Sequence, residues 1–413
     1  MLIKQLNKIF ARWFYFKLVG FILVVQLFSL FRSYPTSHPC GRVVNLNQWM
    51  NVLINCDSAV YMKDAQSATR LFNGESVYQD RPLPTLIITG FTKVWHFIKL
   101  PDFYYDVIGN SGKITSYTLI TYFSFLMLNA LLLSLTCWYG INALATLSNK
   151  HNIVTERFVL LACMFTLLIS MNEISKTFFW TPGSQMFNLL IPVYIFYLLQ
   201  FANNLVTTKF FLTNLTILTF LIFSYAFSVL ATIPLMLVRY KSTKLRLTAA
   251  LMPLFFYIAY PQILQLIGGT YNNFGLGYRR LFLWVLDSYY DQLLIQSVSK
   301  NLLLFTKTFP VLPIILTSAI FLLITNGRNY LWASIKIIKF ESIVLFFYSL
   351  TFSFYGYYSR RLTYPLIIFA FMTVMKIYAF NSYRISHKKN ILMILLIVPF
   401  LIYSWVFTNG PLI

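Results

Sequence analysis

Apolar runs long enough to cross a bilayer recur along most of the chain, separated by short polar breaks rich in Lys and Arg. A helix needs about 20 apolar residues to span the hydrocarbon core. Runs close to that length lie at 16–31, 115–139, 157–172, 187–202, 247–266, 301–325, 338–355, 362–380 and 391–408. Composition agrees: 58% of the 413 residues are hydrophobic and 11% are charged, against about 25% charged in a typical soluble domain. That excludes a soluble globular protein, a disordered chain and a disulfide scaffold, and leaves a polytopic membrane protein.

Charge then orients the runs. Lys4, Lys8, Arg12 and Lys17 precede or open the first one, which puts the N-terminus in the cytoplasm. Arg32, Ser33, Tyr34 and Pro35 follow it instead of small residues, so it reads as an uncleaved span. The run from 210 to 238 fits one long helix or a hairpin of two. Lys209 flanks one end, and Arg239, Lys241, Lys244 and Arg246 flank the other, so both ends belong inside and the chain crosses twice. The expectation is an all-α polytopic fold of about 11 transmembrane helices (range 10–12), with the C-terminus outside. On this topology all but Glu156 and Glu341 of the 11 acidic residues lie outside, which favours a working face there. The net charge of +22 is then explained by membrane orientation, not by nucleic acid.

Residues 1–413 read as one transmembrane domain, without repeats or a soluble module. Residues 33–114 form an external loop region carrying amphipathic or juxtamembrane helices between the first and second spans. Within it, 84–100 holds Lys93, His96 and Lys99 and suits an interfacial or re-entrant helix.

Several chemistries lack their residues. There is no G-x-x-x-x-G-K-[ST] loop for ATP, no H-E-x-x-H and no paired C-x-x-C. His38, His96, His151 and His387 are scattered, so no metal site is expected. Cys137 and Cys163 fall inside spans. Cys40 and Cys56 share the external loop, and sequence leaves their pairing open.

The informative segment runs from Asn55-Cys56-Asp57-Ser58 to Arg81-Pro82-Leu83-Pro84. Tyr61, Ala65, Ala68 and Phe72 recur at helical spacing, which predicts a helix over 57–72 with Asp57 or Ser58 as N-cap. Asn73-Gly74 ends it, and Arg81-Pro82-Leu83-Pro84 predicts an extended turn beyond. This order resembles the GT-C superfamily of membrane glycosyltransferases, such as the protein O-mannosyltransferases and the aminoarabinose transferases of lipid A. In that family an acid follows the first span, a Tyr comes about a turn later, and a short helix ending in Gly leads to a basic-Pro turn. Asp57, Tyr61, Gly74, Tyr78 and Arg81-Pro82-Leu83 fill the pattern. The resemblance implies that Asp57 is the catalytic base or acceptor-positioning residue, with Tyr61, Tyr78 and Arg81 binding substrate. Many relatives carry a second acid directly after the first; Ser58 stands there in this chain, which leaves the use of a divalent metal open. The alternative for Asp57 is a helix cap alone.

The chemistry needs the same residue types without the family. Moving a sugar off a polyprenyl phosphate requires a carboxylate for the acceptor's proton and cations for the leaving phosphate. The family resemblance implies a second functional acid on the next external loop, which makes Glu173, after the span at 157–172, the second carboxylate, with Lys176 beside it as a substrate contact; the alternative is a solvated loop acid. Arg279 with Arg280, and Arg360 with Arg361, are paired cations on the outer side, against positive-inside sorting. The latter pair with Tyr364-Pro365 resembles a late R-Y-x-x-P stretch of the family. A lipid phosphate explains both pairs, because the guanidinium fork matches phosphate oxygens; anionic headgroups are the alternative. Lys307 and Lys376 fall inside spans and are expected to snorkel.

The expected partners are therefore a polyprenyl-phosphate-linked sugar, a glycan, lipid or protein acceptor, and the bilayer, with no nucleic acid; no cofactor is assigned and the use of a divalent metal stays open. Lys-, Asn- and Ile-rich usage suggests a low-GC genome and a bacterial inner membrane, with the active face external. The competing reading is a polytopic transporter, or a flippase or polymerase of lipid-linked glycans.

Overall fold

The computed structural model describes residues 15–24, 26, 42–47, 50–54, 56–95, 97, 103–107, 110–151, 155–170, 173–271, 328–354 and 360–381. These residues are predominantly helical. The spans expected at 301–325 and 391–408, together with Cys40, Arg279, Arg280 and Lys307, lie outside them.

The centre of the fold is α7 (Phe187–Leu199), in which every residue but Tyr197 is buried. A helix that is apolar all round has no face to give to solvent and must be enclosed. It packs between α4 (Ser116–His151) and the last described helix, α13 (Arg360–Asn381). The N-terminal helix α1 (Tyr15–Val24) lies on α4 through Leu18 and Ile22, and the Tyr15 hydroxyl donates to the Ser134 carbonyl. Gly140 of α4 lets the ring of Phe165 in α5 (Thr155–Ser170) reach the α4 backbone.

Among the described residues, two helices, α4 and α10 (Thr243–Leu266), are long and apolar enough to cross a membrane; α1, α7, α8 (Thr208–Ile222) and the stretches Ser228–Leu237 and Tyr364–Ile377 are apolar but shorter. α10 buries little and exposes Leu251, Met252, Phe255, Ile258 and Ile263. So large an apolar surface needs a non-aqueous neighbour.

The run at 210–238 folds back on itself. α8 leads through a 3₁₀ turn, Ala226–Ala231, into α9 (Thr232–Leu237). Leu205 then bridges Arg239, with backbone bonds from Val206 to Arg239 and from Arg239 to Asn204. The two ends of the run thus meet, although α9, at six residues, is far shorter than the second crossing expected there.

The region read as an external loop departs from the all-α expectation. Two antiparallel hairpins flank its helices: β1 (Arg42–Asn47) with β2 (Met50–Ile54), and β3 (Phe103–Val107) with β4 (Asn110–Ile114). Val43, Val44, Val52, Tyr104 and Tyr105 lie in these strands, and β-branched and aromatic residues suit a pleated ladder better than a helix. Between the hairpins, the helix expected at 57–72 is split. α2 (Cys56–Gln66) stops at Ser67, whose backbone leaves the helical region (φ −140°, ψ +83°), and a 3₁₀ turn, Ala68–Leu71, follows. The break is fixed by a polar knot around the buried Asp64: Arg70 Nε donates to Asp64 Oδ1 at 3.0 Å, Ser76 Oγ donates to Asp64 Oδ2, and on the exposed side Arg70 Nη1 donates to Glu75 at 2.8 Å. Gly74 closes the turn with φ +81°, which favours glycine.

Arg81-Pro82-Leu83-Pro84 is not extended. Pro82 opens α3 (Pro82–Trp95), where its fixed φ and missing N–H cost nothing. At 14 residues and 1.5 Å rise per residue, α3 is about 21 Å long, short of a hydrocarbon core of about 30 Å. The loop docks on the far end of α10: Gln79 Nε2 donates to the carbonyls of Leu71 and Thr270, and the Thr270 N–H donates to the Phe72 carbonyl.

Lys376 does not snorkel. α13 packs on α12 (Lys339–Phe354), which follows α11 (Arg328–Ile337), and Lys376 Nζ meets Glu341 Oε1 of α12 at 2.5 Å with both side chains buried. Glu341 Oε2 is buried without a hydrogen-bond partner. An ionised Lys in an apolar bundle is retained by pairing, since desolvating it alone costs several kcal/mol.

Candidate active site

α2 carries the first two residues of the site. Asp57 lies in its first turn, and Tyr61 follows four residues later on the same helical face. The helix begins at Cys56, so Asp57 is not its cap. Its Oδ1 instead accepts a hydrogen bond from the Tyr78 hydroxyl at 2.7 Å. The rings of Tyr61 and Tyr78 stack with centroids 4.2 Å apart and planes 6° apart. The turn that bends the chain at 67–76 therefore returns Tyr78 over the start of α2.

Arg81 completes the first-loop group. Its Nε donates to Asp80 Oδ2 at 3.2 Å. Its guanidinium lies 4.9 Å from the centroid of the Tyr225 ring and 6.0 Å from that of Tyr78. A guanidinium over an aromatic face is attracted by the ring quadrupole. The Leu83 N–H donates to the Phe223 carbonyl and fixes α3 against this turn.

The wall opposite comes from the segment read as a second external loop, and here the expectation is corrected. Residues 173–180 form a helix, α6 (Glu173–Trp180), and from Ile174 to Ser184 every residue is buried. Polar side chains from the neighbouring helices hold it. Asn129 Nδ2 donates to the carbonyls of Phe178, Phe179 and Thr181, and Tyr122 donates to that of Trp180. The Trp180 indole donates to the Gln26 carbonyl. The segment delivers Ser184 to Tyr61, whose hydroxyl bonds Ser184 Oγ at 2.8 Å. Gly183 has φ +155°, and a Cβ there would press on the Tyr61 ring at 3.4 Å.

Burial raises the pKa of both phenols above the ordinary tyrosine value. For Tyr78 the charge of Asp57 adds to burial; for Tyr61 the charge of Arg81 opposes it. Both remain protonated at neutral pH, so Tyr78 donates to Asp57.

Of the residues singled out in the sequence, Asp57, Tyr61, Tyr78 and Arg81 are brought together. Lys176 is buried on α6, and Glu173 opens that helix. Arg360 and Arg361 open α13 one turn before Tyr364. The Tyr364 hydroxyl donates to the Leu168 carbonyl and lies 3.4 Å from Ser175 Oγ, so the start of α13 stands beside α6. Sequence reasoning missed Ser184, Asn188 and Tyr225. The first two lie where a loop or an ordinary span was expected, and Tyr225 is one aromatic in an apolar run; no local signal separates it. Among the described residues, no three His, Cys, Asp or Glu side chains gather to hold a metal ion.

Comparison with protein-family models, with characterised proteins and with solved structures finds no match to this chain.

Proposed function

We propose that the chain is a polytopic membrane glycosyltransferase of GT-C-like architecture, moving a sugar from a polyprenyl-phosphate donor to a glycan, lipid or protein acceptor at the external face. The observation that carries the reading is the cluster at the start of α2: a carboxylate held by a phenol, beside a guanidinium laid on an aromatic ring. In the proposed reaction the acceptor oxygen bonds to the sugar's anomeric carbon as the carbon–oxygen bond to phosphate breaks. The leaving polyprenyl phosphate takes the electron pair, and the acceptor's proton passes to Asp57. Arg81 neutralises the departing phosphate. Arg279, Arg280, Arg360, Arg361, Lys176 and Glu173 remain proposed contributors from the later elements.

The polytopic reading draws on α10. It runs from the basic cluster at 239–246 to the acid-bearing loop at 57–81. Its 24 residues reach about 36 Å at 1.5 Å per residue, enough for a hydrocarbon core of about 30 Å. Its exposed Leu, Ile, Phe and Met side chains suit acyl chains.

The second reading, a transporter or flippase of lipid-linked glycans, is favoured by one feature, the buried Glu341–Lys376 pair, because ionisable groups inside a bundle often mark a transport path. Mass spectrometry of cell-envelope glycans with and without the gene tests both. A transferase leaves the acceptor one sugar short while the charged donor accumulates outside; a flippase strands it inside. Unchanged glycans would refute both.

A further inference from the structure

The turn at 181–185 holds two buried side-chain oxygens without hydrogen-bond partners, Thr181 Oγ1 and Gln185 Oε1. Native structures leave few such atoms unpaired, and each calls for a partner. The position of Gln185 indicates what that partner is. Ser184, directly before it, bonds Tyr61. The Asn188 N–H donates to the Gln185 carbonyl at 2.9 Å, an i→i+3 bond. In a turn of that type the side chains at i and i+3 eclipse, so Gln185 and Asn188 stand on one face. Asn188 Nδ2 donates to the Tyr225 hydroxyl at 3.3 Å, and Tyr225 carries Arg81 on its ring. Along the chain Gln185 thus lies between Ser184, which bonds Tyr61, and Asn188, which bonds the Tyr225 that carries Arg81.

We infer that Gln185 is a recognition residue for the donor's sugar, its amide oxygen accepting a hydrogen bond from a ring hydroxyl. This deepens the proposed function and rests on it. The division of labour is chemical. Arg81 offers charge-assisted donors to phosphate but no acceptor. A hexose brings several O–H donors, and a buried acceptor without a donor rewards the ligand that supplies one. A bare polyprenyl phosphate has no hydroxyl to offer there, so Gln185 separates the charged donor from the spent lipid product.

The test measures binding to the full chain in nanodiscs by intrinsic fluorescence. The probes are undecaprenyl phosphate alone and the same lipid carrying glucose, mannose or galactose. The wild-type protein should bind at least one glycosylated lipid tighter than the bare one. Gln185→Met, close in shape but without the amide, should lose about tenfold on that lipid, the order of one hydrogen bond to a site that excludes water, and nothing on the bare phosphate. Arg81→Ala should weaken both lipids together. Gln185→Leu gives the same comparison if the Met variant unfolds early. A wild-type ratio of the two affinities in the folded Gln185 variants overturns the inference and leaves the transferase reading standing. Equal binding of bare and glycosylated lipids by the wild-type chain also overturns it. Binding of neither lipid overturns the inference and the reading together.

Discussion

Replacing Asp57 by Asn separates catalysis from folding, because the structure limits what else the change can do. Asparagine keeps a carbonyl oxygen where Oδ1 accepts the Tyr78 hydroxyl. That bond falls from a charge-assisted one worth about 1.5–3 kcal/mol to a neutral one worth about 0.5–1.5 kcal/mol. Removing a negative charge from the first turn of α2 costs a further 0.3–1 kcal/mol, roughly, in helix-dipole energy. The fold therefore loses about 1.3–2.5 kcal/mol. Loss of a general base costs about 10²–10⁴ in rate, or roughly 3–5 kcal/mol in the barrier. The activity loss should thus exceed the stability loss by a wide margin. Transfer of radiolabelled hexose from undecaprenyl-phosphoryl hexose to membrane acceptors measures the first, and thermal unfolding in detergent measures the second. Tyr78→Phe is the companion variant: it keeps the stack on Tyr61 and removes the donor to Asp57, and should lower the rate without abolishing it. A folded Asp57→Asn protein that transfers sugar at the wild-type rate would refute the assignment of Asp57 and the function built on it.

Three other outcomes are expected. Gly140→Ala should lower the unfolding temperature, because the new methyl collides with the buried ring of Phe165; overpacking of this kind costs about 1–3 kcal/mol, and Phe165→Leu in the same chain should restore much of it. Glu341→Gln or Lys376→Met alone should destabilise by about 3–5 kcal/mol by leaving one buried charge unpaired, whereas Glu341→Leu with Lys376→Met should be near neutral; equal losses in single and double variants would exclude pairing. Thermal stability should hold up to about pH 10 and fall above it, since the unfolded chain releases tyrosine protons there while Tyr61 and Tyr78 hold theirs in the folded state. In Tyr78→Phe that fall should be shallower, and an unchanged slope would show that Tyr78 does not contribute.

The sequence by itself determined the helical, apolar character of the chain, the reversal between 205 and 239, and the shared helical face of Asp57 and Tyr61; Tyr78 and Arg81 were singled out by the family resemblance. Each of these is written within one run or one loop: apolar length makes a helix, basic flanks choose a side, and a spacing of four residues puts two side chains on one face. The tertiary structure alone decided what those residues meet. Tyr61 finds Ser184 across 123 positions, and Tyr364 finds Leu168 across 196. Periodicity says which face of a helix is apolar but not which helix covers it, so the burial of α6 and the Arg81–Tyr225 contact were not legible. Nor was the pairing of Lys376 with Glu341, because an intrahelical Lys looks the same whether it reaches for an interface or for a carboxylate on the next helix. The split of α2 has the same origin: the helical spacing of Tyr61, Ala65, Ala68 and Phe72 continues through Ser67, but the Asp64–Arg70–Ser76 knot outweighs it, and only that break brings Tyr78 back to Asp57.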